Sequence, residues 1–506
     1  MSASVRRVAV TLLALFGALF VNLNYLQVIR AESLAEDTRN TRRIIAEYDV
    51  RRGSIIAADG QTELARVEDT GGRLRFQRIY DHGELFAHVT GHHSFVYGRT
   101  QVEQAYNEFL AGGAPEAFAR NMTDLLAGRE RTGEDVVTTV RPSVQAAARD
   151  ALGGQHGAVI ALEPSTGAVL AMWSNPTYDP NGMAGHEGPA VRAYAEALRA
   201  DESEPLRNRA MQQRYNPGST FKIVTAAAAL AAGRSPEATF PDPVRQPLPQ
   251  TTATIGNFGG GPCAGGGSIT FRQAMVVSCN TTFAQLGLEV GAEGLVAQAE
   301  RFGLNTELDL PLPTVPSVLP EEGLDPPATA QSAIGQRDVQ VTPLQMAMIT
   351  AAIGNGGVLM TPRIVDRVEE FGTGEVVRQF PPEPLVLPGR PDAQAVRPEH
   401  AAALRDMMEG VVAQGTGRAA AIPGVSVAGK TGTAQAAGPP TVWFVGLAPA
   451  NNPQVAVAVV VERGGAVGTG ATGGGVAAPI ARAVMQAALG DEPTVPATPQ
   501  PSAPEG

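Results

Sequence analysis

Two lysines stand out in this chain, because every other basic side chain apart from histidine is arginine. The sequence holds 39 Lys and Arg residues, and only Lys222 and Lys430 are lysine. An ammonium group can lose its proton when it is buried, whereas a guanidinium cannot. We therefore expect these two lysines to take part in proton transfer or to supply a needed charge. The alternative is that the chain favours arginine in general and that these two lysines remain by chance.

The first lysine follows a serine at a spacing that suits nucleophilic catalysis. Ser219 and Lys222 directly precede an Ala-rich stretch, 223–232, that is typical of a helix. Residues three apart lie on one helical face, and a serine hydroxyl becomes a nucleophile when a nearby base takes its proton. Ser219 would also lie near the positive end of the helix dipole. Since a Ser-x-x-Lys match alone is common, its meaning depends on the rest of the chain.

Two further motifs follow in order along the sequence. Residues 278–280 read Ser-Cys-Asn, and residues 430–433 read Lys-Thr-Gly-Thr. Ser-x-x-Lys, Ser-x-Asn and Lys-Thr-Gly in this order form the motif set of serine acyl-transferases that act on D,D-peptides and β-lactams. Each motif is weak alone, but together they account for both lysines.

The elements that must position these motifs are predicted from apolar runs and turn residues. A helix is expected at 345–352, with Thr342 as its N-cap and Pro343 as its first residue. Gly-rich loops at 256–267 and 464–475 are expected beside a cleft. Short apolar runs between turns predict strands at 158–162, 168–172, 442–447 and 455–461. This alternation predicts one large α/β domain.

The N-terminal region favours a membrane anchor. An apolar stretch from Val8 to Ile29 follows Arg6 and Arg7 and is long enough to span a bilayer. A cleaved signal peptide is the alternative interpretation, and the arginines on the two sides of the span do not decide its orientation. We divide the chain into an anchor at 1–30, an N-terminal domain at 31–152, the α/β domain at 153–490 and a disordered Pro-rich tail at 491–506.

Composition excludes several classes of function. The net charge is −11, with 50 Asp and Glu against 39 Lys and Arg, which argues against nucleic-acid binding. Two cysteines are too few for a disulfide scaffold and for most Cys-based metal sites. A metal site is conceivable at a histidine cluster, but the spacing matches no standard ligand pattern, so we predict no metal and ordinary surface histidines. The cluster comprises His82, His88, His92 and His93.

Beyond the three motifs, the chain resembles the class B penicillin-binding proteins, and in particular their compact actinobacterial members. The resemblance covers nearly the whole length. It departs from the family in the short N-terminal region and in the early motif, where Ala58 stands just before Asp59 and the Arg-Asn pair that commonly separates the Asp and Gly of the motif is missing. The segments that carry the resemblance are 52–55 with 59–60, 98–110, 208–209, 342–345, 415–417 and 477–479.

The resemblance implies a fold and an activity. The fold is the α/β transpeptidase domain of penicillin-binding proteins and serine β-lactamases, with a mostly antiparallel central sheet flanked by helices. A small mixed N-terminal domain and one transmembrane helix precede it. The activity is cross-linking of peptidoglycan stem peptides, lipid-linked or in nascent glycan, during growth or division, with acylation by β-lactam antibiotics. No cofactor is implied, and the catalytic domain lies outside the cell membrane.

The resemblance also implies a role for each residue of the first two motifs. Ser219 attacks the carbonyl of the penultimate D-Ala, and Lys222 is its general base. Ser278 relays the proton to the leaving amine, and Asn280 holds the substrate amide. The terminal D-Ala leaves, and an amine of a neighbouring stem peptide resolves the acyl-enzyme.

The third motif is expected to bind the substrate from a strand. Thr431 and Thr433 share one face of that strand and bind the terminal carboxylate, while Lys430 points the other way, towards Ser278. Gly432 leaves room for the substrate backbone. The backbone N–H groups of Ser219 and Thr433 form the oxyanion hole.

Since the domain is expected in an oxidising compartment, Cys263 and Cys279 are predicted to form a disulfide. The alternative is two reduced thiols, with Cys279 a small buried side chain. The bridge would hold the Gly-rich loop 256–267 against the 278–280 motif.

Two other functions stay open at this point. A membrane-anchored β-lactam sensor or a β-lactamase shares the motif set, but no glutamate for water activation is identifiable. A non-catalytic scaffold of wall synthesis is opposed by the intact motifs. The region 31–152 is too short for a glycosyltransferase domain, so a separate polytopic glycosyltransferase and other wall-synthesis proteins are the expected partners.

Overall fold

The computed structural model describes residues 3–26, 45, 47–115, 130–435 and 438–490. Within these ranges, one helix is long and apolar enough to cross a membrane, and it spans Ser4–Asn24 near the N-terminus. The interpretation of 491–506 as a disordered tail concerns residues outside the described ones.

Helices and strands are interspersed through the rest of the described chain. The helices are Ala3–Asn24, Ala87–Thr90, Gln101–Ala105, Asn107–Leu110, Pro142–Leu152, Asn181–Ala184, Gly188–Ala200, Arg209–Gln212, Lys222–Ala231, Phe271–Val276, Asn280–Arg301, Pro326–Ser332, Pro343–Gly354, Pro398–Ala413 and Ala478–Gly490. The strands are β1 (Ile55–Ile56), β2 (Glu63–Asp69), β3 (Phe76–Ile79), β4 (His93–Ser94), β5 (Gly98–Arg99), β6 (Asp135–Thr138), β7 (Gly157–Leu162), β8 (Val169–Asn175), β9 (Thr239–Pro241), β10 (Arg245–Pro247), β11 (Thr254–Gly256), β12 (Ser268–Thr270), β13 (Val365–Glu369), β14 (Val376–Gln379), β15 (Ala428–Ala434), β16 (Thr441–Ala448) and β17 (Val455–Val461).

A five-stranded sheet forms the centre of the molecule, and all its neighbouring strands are antiparallel. Its order is β15-β16-β17-β7-β8. Alternate residues of β17 enter two different apolar clusters, since Ala456 packs on one face and Val457 on the other. Helices cover both faces, which explains why these strands are continuous apolar runs rather than alternating ones. The predicted antiparallel sheet, its four predicted strands and the flanking helices are confirmed.

The helix Pro343–Gly354 begins as the sequence predicts. The Thr342 hydroxyl accepts a hydrogen bond from Gln345 N at 3.1 Å, and Pro343 occupies the first turn. This side-chain cap satisfies one of the N–H groups that a helix start leaves unpaired.

A second sheet joins the N-terminal region to a distant part of the chain. Its order is β14-β13-β6-β1-β2-β3, so the hairpin of β13 and β14 extends a sheet that otherwise comes from residues 55–138. The sequence did not predict this pairing. The two regions therefore share a sheet, and the boundaries drawn at 31–152 and 153–490 stay predictions.

A buried carboxylate holds this sheet to the segment 101–107. Glu103 accepts hydrogen bonds from Arg52 Nε at 2.7 Å and from Arg78 Nε at 2.6 Å, and its side chain is completely buried. Burial alone would raise the pKa of Glu103, but the charges of Arg78 and Arg52 outweigh it and hold that pKa below its ordinary value. The Glu103 side chain therefore stays ionised inside the protein.

The prediction of ordinary surface histidines is wrong for three of the four. His88, His92 and His93 are 3%, 6% and 5% exposed. His88 Nε2 lies 3.0 Å from the Pro205 carbonyl oxygen, and His92 Nδ1 lies 3.2 Å from the Tyr178 hydroxyl. The rings of His88 and His92 therefore pack against residues 178–208, whereas the His93 ring stacks on Tyr48 with the ring centroids 4.9 Å apart. Only His82 of the cluster is exposed.

Candidate active site

The predicted nucleophile lies in a tight turn at the start of a buried helix. Ser219 belongs to a 3₁₀ turn, Gly218–Phe221, and Lys222 is the first residue of the helix Lys222–Ala231. Gly218 has φ +54° and donates a hydrogen bond to Gly335 O at 2.9 Å. A Cβ at Gly218 would lie 2.8 Å from the Thr433 carbonyl, so glycine lets the turn approach the Lys-Thr-Gly strand.

Both lysines converge on one hydroxyl. Lys430 Nζ donates to Ser278 Oγ at 2.8 Å, and Lys222 Nζ approaches the same oxygen at 3.3 Å. Lys222 Nζ also donates to Ser278 O at 2.8 Å and to Asn280 Oδ1 at 2.7 Å. The structure thus brings the first lysine, the Ser-x-Asn motif and the second lysine into one hydrogen-bonded cluster, as the sequence predicts.

Burial changes the acidity of both ammonium groups. Neither lysine side chain is exposed to solvent. Burial, and next the nearby charge of Lys430, lower the pKa of Lys222 well below its ordinary range. Burial lowers the pKa of Lys430 to about 7. Two like charges in a dry site disfavour the protonation of both lysines at once.

Two features fix the geometry of the Ser-x-Asn motif: a strained backbone at Ser278 and a helix that begins at Asn280. Ser278 has φ +61°, a left-handed value that a serine adopts only when its surroundings impose it. Asn280 begins the helix Asn280–Arg301. Asn257 Oδ1 accepts from the backbone N–H groups of Asn280 and Thr281, both at 3.0 Å, and so caps this helix from a different part of the chain.

A disulfide joins Cys263 to Cys279, as the sequence predicts, with the two Cα atoms 5.7 Å apart. The Asp242 carboxylate also holds the loop, because it accepts from the backbone N–H groups of Cys263, Ala264 and Gly266 at 2.8, 2.6 and 3.1 Å. The Gly-rich loop 256–267 is therefore tied to the 278–280 motif both covalently and by hydrogen bonds.

The Lys-Thr-Gly motif lies on β15 and alternates as predicted. Lys430 and Gly432 face the nucleophile turn and Ser278, while Thr431 and Thr433 share the other face. The structure shows a second reason why residue 432 is glycine. A Cβ there would lie 2.7 Å from Pro217 O and 3.0 Å from Thr220 Cγ2. Glycine at 432 therefore lets the strand pack against the turn that carries Ser219.

Sequence reasoning gave no role to two groups behind this strand. The Thr416 hydroxyl lies 2.6 Å from the Thr431 hydroxyl, and Gly473 N donates to Thr433 Oγ1 at 3.4 Å. The segment 415–417 contributed to the family resemblance, so the signal was present, but its contact with Thr431 requires the fold.

Comparison with known proteins accounts for most of the chain. Residues 157–486 match the family model of the penicillin-binding protein transpeptidase domain. Residues 52–136 match the model of the penicillin-binding protein A dimerisation domain. The three motifs and the buried lysine cluster lie inside the first match.

Similar proteins and structures are consistent with this assignment. The peptidoglycan D,D-transpeptidase PbpA of Mycolicibacterium smegmatis is 42% identical over 97% of this chain and 99% of its own. The protein of the same name from Mycobacterium tuberculosis is 42% identical over 97% of this chain and 100% of its own. The ceftriaxone acyl-enzyme complex of M. tuberculosis penicillin-binding protein A superposes with a TM-score of 0.83 at 40% identity, over 88% of this chain and 100% of that one. The chain therefore belongs to the class B penicillin-binding proteins, a family of serine D,D-transpeptidases.

Proposed function

We propose that Ser219, Lys222, Ser278 and Lys430 carry out acyl transfer in peptidoglycan D,D-transpeptidation, the activity of this family. Ser219 Oγ attacks the carbonyl carbon of the penultimate D-Ala of a donor stem peptide, and neutral Lys222 takes the hydroxyl proton. The peptide bond breaks, and Ser278 passes a proton to the departing D-Ala amine. An ester between Ser219 and the shortened donor peptide remains.

The second half of the reaction reverses these proton transfers. An amine of a neighbouring stem peptide attacks the ester carbonyl and loses a proton to the lysine cluster. The bond to Ser219 Oγ breaks, the hydroxyl recovers its proton, and a new amide links the two stems. In both halves the N–H groups of Ser219 and Thr433 stabilise the oxyanion, while Lys430 supplies positive charge.

Three groups are assigned to substrate binding. Thr431 and Thr433 donate to the terminal carboxylate of the donor, since they share the face of β15 opposite to Lys430. Asn280 Nδ2 donates one hydrogen bond to Gly256 O at 3.0 Å, which leaves its second N–H for the substrate amide.

The observation that carries this proposal is the approach of two fully buried lysines to one serine hydroxyl. Burying two ammonium groups costs free energy, and pKa values shifted by such burial are typical of catalytic sites. The arrangement gives one group that accepts a proton and another that stabilises negative charge, beside the turn that presents a half-buried serine.

The test is a two-substrate assay with a donor peptide that ends in D-Ala-D-Ala and an amine acceptor. Release of D-Ala and formation of the cross-linked product are both measured. We expect neither product from Ser219→Ala and a loss of about 100-fold or more from Ser278→Ala. Ser268→Ala is the matched control, because Ser268 is exposed on β12 and belongs to none of the three motifs. Product formed by Ser219→Ala would contradict the proposal.

We further infer that the N-terminal helix anchors the chain in the cell membrane, with residues after the helix on the outer side. The apolar length of Ser4–Asn24 supports an anchor, and the substrate's location outside the cell supports the orientation. A separate polytopic glycosyltransferase is the proposed partner. Protease added to intact spheroplasts should digest the domain, whereas a protected domain would contradict the orientation.

A further inference from the structure

A pair of hydroxyl groups lies where β15 meets the segment 415–417. The Thr416 and Thr431 hydroxyl oxygens are 2.6 Å apart, a distance typical of a short O–H···O hydrogen bond. Thr431 is 7% exposed, whereas Thr416 is exposed. The proposed mechanism gives Thr431 a task and gives none to Thr416.

The number of protons decides the direction of this hydrogen bond. A threonine hydroxyl has one proton to donate and two lone pairs that accept, and a carboxylate only accepts. If Thr431 donates its proton to the donor carboxylate, its bond with Thr416 has to run the other way. We propose that Thr416 is a positioning residue that donates to Thr431 Oγ1 and so directs the Thr431 proton towards the terminal carboxylate. This inference rests on the proposed carboxylate-binding role of Thr431.

Thr433 has a similar arrangement with a weaker donor. Gly473 N donates to Thr433 Oγ1 at 3.4 Å. Each of the two threonines on this face of β15 thus accepts one hydrogen bond from the protein and keeps its proton for a ligand. Because hydrogen bonds in a chain polarise one another, a Thr431 that accepts from Thr416 is a better donor to an anion.

The backbone around Thr416 is built to hold this hydroxyl in place. Gly417 N donates to Val411 O at 2.9 Å, which ties the segment to the helix Pro398–Ala413, and Thr416 N donates to Val276 O at 3.4 Å. On the other side, a Cβ at Gly474 would lie 2.3 Å from Thr416 O. Thr416 therefore lies between the helix that precedes it and the segment that packs over β15.

The first test compares Thr416→Val, which removes the hydroxyl at similar volume, with Thr416→Ser, which keeps it. The measurement is the second-order rate of acylation of the full chain by benzylpenicillin and by its methyl ester, which lacks the carboxylate. With benzylpenicillin we expect a loss of about tenfold for the valine variant, equivalent to about 1.4 kcal/mol, and near wild-type rates for the serine variant. With the ester we expect the valine variant to match wild type.

The second test is a double-mutant cycle with Thr431→Val. Because Thr416 acts through Thr431, adding Thr416→Val to Thr431→Val should cost nothing further. A double variant slower than Thr431→Val would mean that Thr416 contacts the ligand itself and would overturn the inference. So would equal losses with the acid and the ester, or no loss at all in Thr416→Val. If Thr431→Val itself acylates like wild type with benzylpenicillin, the proposed role of Thr431 fails, and the inference fails with it.

Discussion

The lysine at 222 is the residue whose chemistry arginine cannot replace. Its side-chain nitrogen is buried and hydrogen-bonded to Ser278 and Asn280. We expect Lys222→Arg to lose about 100-fold or more in the rate of acylation by a fluorescent penicillin, nearly as much as Lys222→Ala, because a guanidinium does not act as a base at accessible pH. The measurement is the labelling time course, with thermal unfolding of each variant as the control for folding. An arginine variant within about tenfold of wild type would remove the base role.

For single residues, the sequence predicts which side chains do chemistry better than it predicts which side chains touch each other. The two lysines and the Ser-x-Asn motif are recognisable because their types and order are informative without a structure. The packing reason for Gly432 and the contact of Thr416 with Thr431 are different. Both depend on which segments the fold places against the two faces of β15, and no local pattern encodes that.

The loop 256–267 is the element most directly coupled to the active site. It carries the Asn257 cap and one end of the disulfide, and Asp242 holds its backbone. We expect no free thiol in the unfolded, unreduced protein. Reduction should lower the free energy of unfolding by about 3 kcal/mol, as expected for a closed loop of about 15 residues. It should also slow acylation without abolishing it, because the hydrogen bonds of Asn257 and Asp242 still hold the loop.

The control for this prediction is the variant Cys263→Ala/Cys279→Ala. It should acylate as slowly as the reduced protein and show no response to reductant. Two free thiols in the unreduced protein, or acylation abolished on reduction, would contradict the account of this loop.

Elements with strong local signals are predicted from sequence, and elements defined by distant pairing are not. The central strands are continuous apolar runs, and the helix Pro343–Gly354 has a Thr-Pro start. The hairpin of β13 and β14 contains many charged residues, such as Arg367 and Glu369 in β13. Its strand character comes from pairing with β6, which lies more than 200 residues earlier in the chain.

At the scale of the whole molecule, the buried histidines make stability depend on pH. Burial lowers the pKa of His88 and of His92 to about 4, from an ordinary value near 6.5. The unfolded chain therefore binds more protons than the folded one between these values. As far as it depends on these two histidines, the free energy of unfolding is highest above about pH 6.5. It falls as the pH drops towards 4, by about 1.4 kcal/mol per pH unit for each histidine.

Chemical unfolding of the full chain in detergent at pH 7.5, 6 and 5 measures this effect. His88→Asn should reduce the dependence on pH, whereas His82→Asn, at an exposed position, should leave it unchanged. A free energy of unfolding that is equal at pH 7.5 and 5 would contradict the prediction. The sequence did not indicate this burial, because a histidine carries no local signal of the surface that will cover it.

The central claim is that Ser219 forms the acyl-enzyme, and mass spectrometry of the penicillin-treated protein tests it most directly. The full chain is incubated with benzylpenicillin, its intact mass is measured, and the labelled peptide is sequenced after digestion. We predict one added penicilloyl group per chain, located on Ser219, and no added mass in Ser219→Ala. A penicilloyl group on any other residue, or an adduct that persists in Ser219→Ala, would contradict the account.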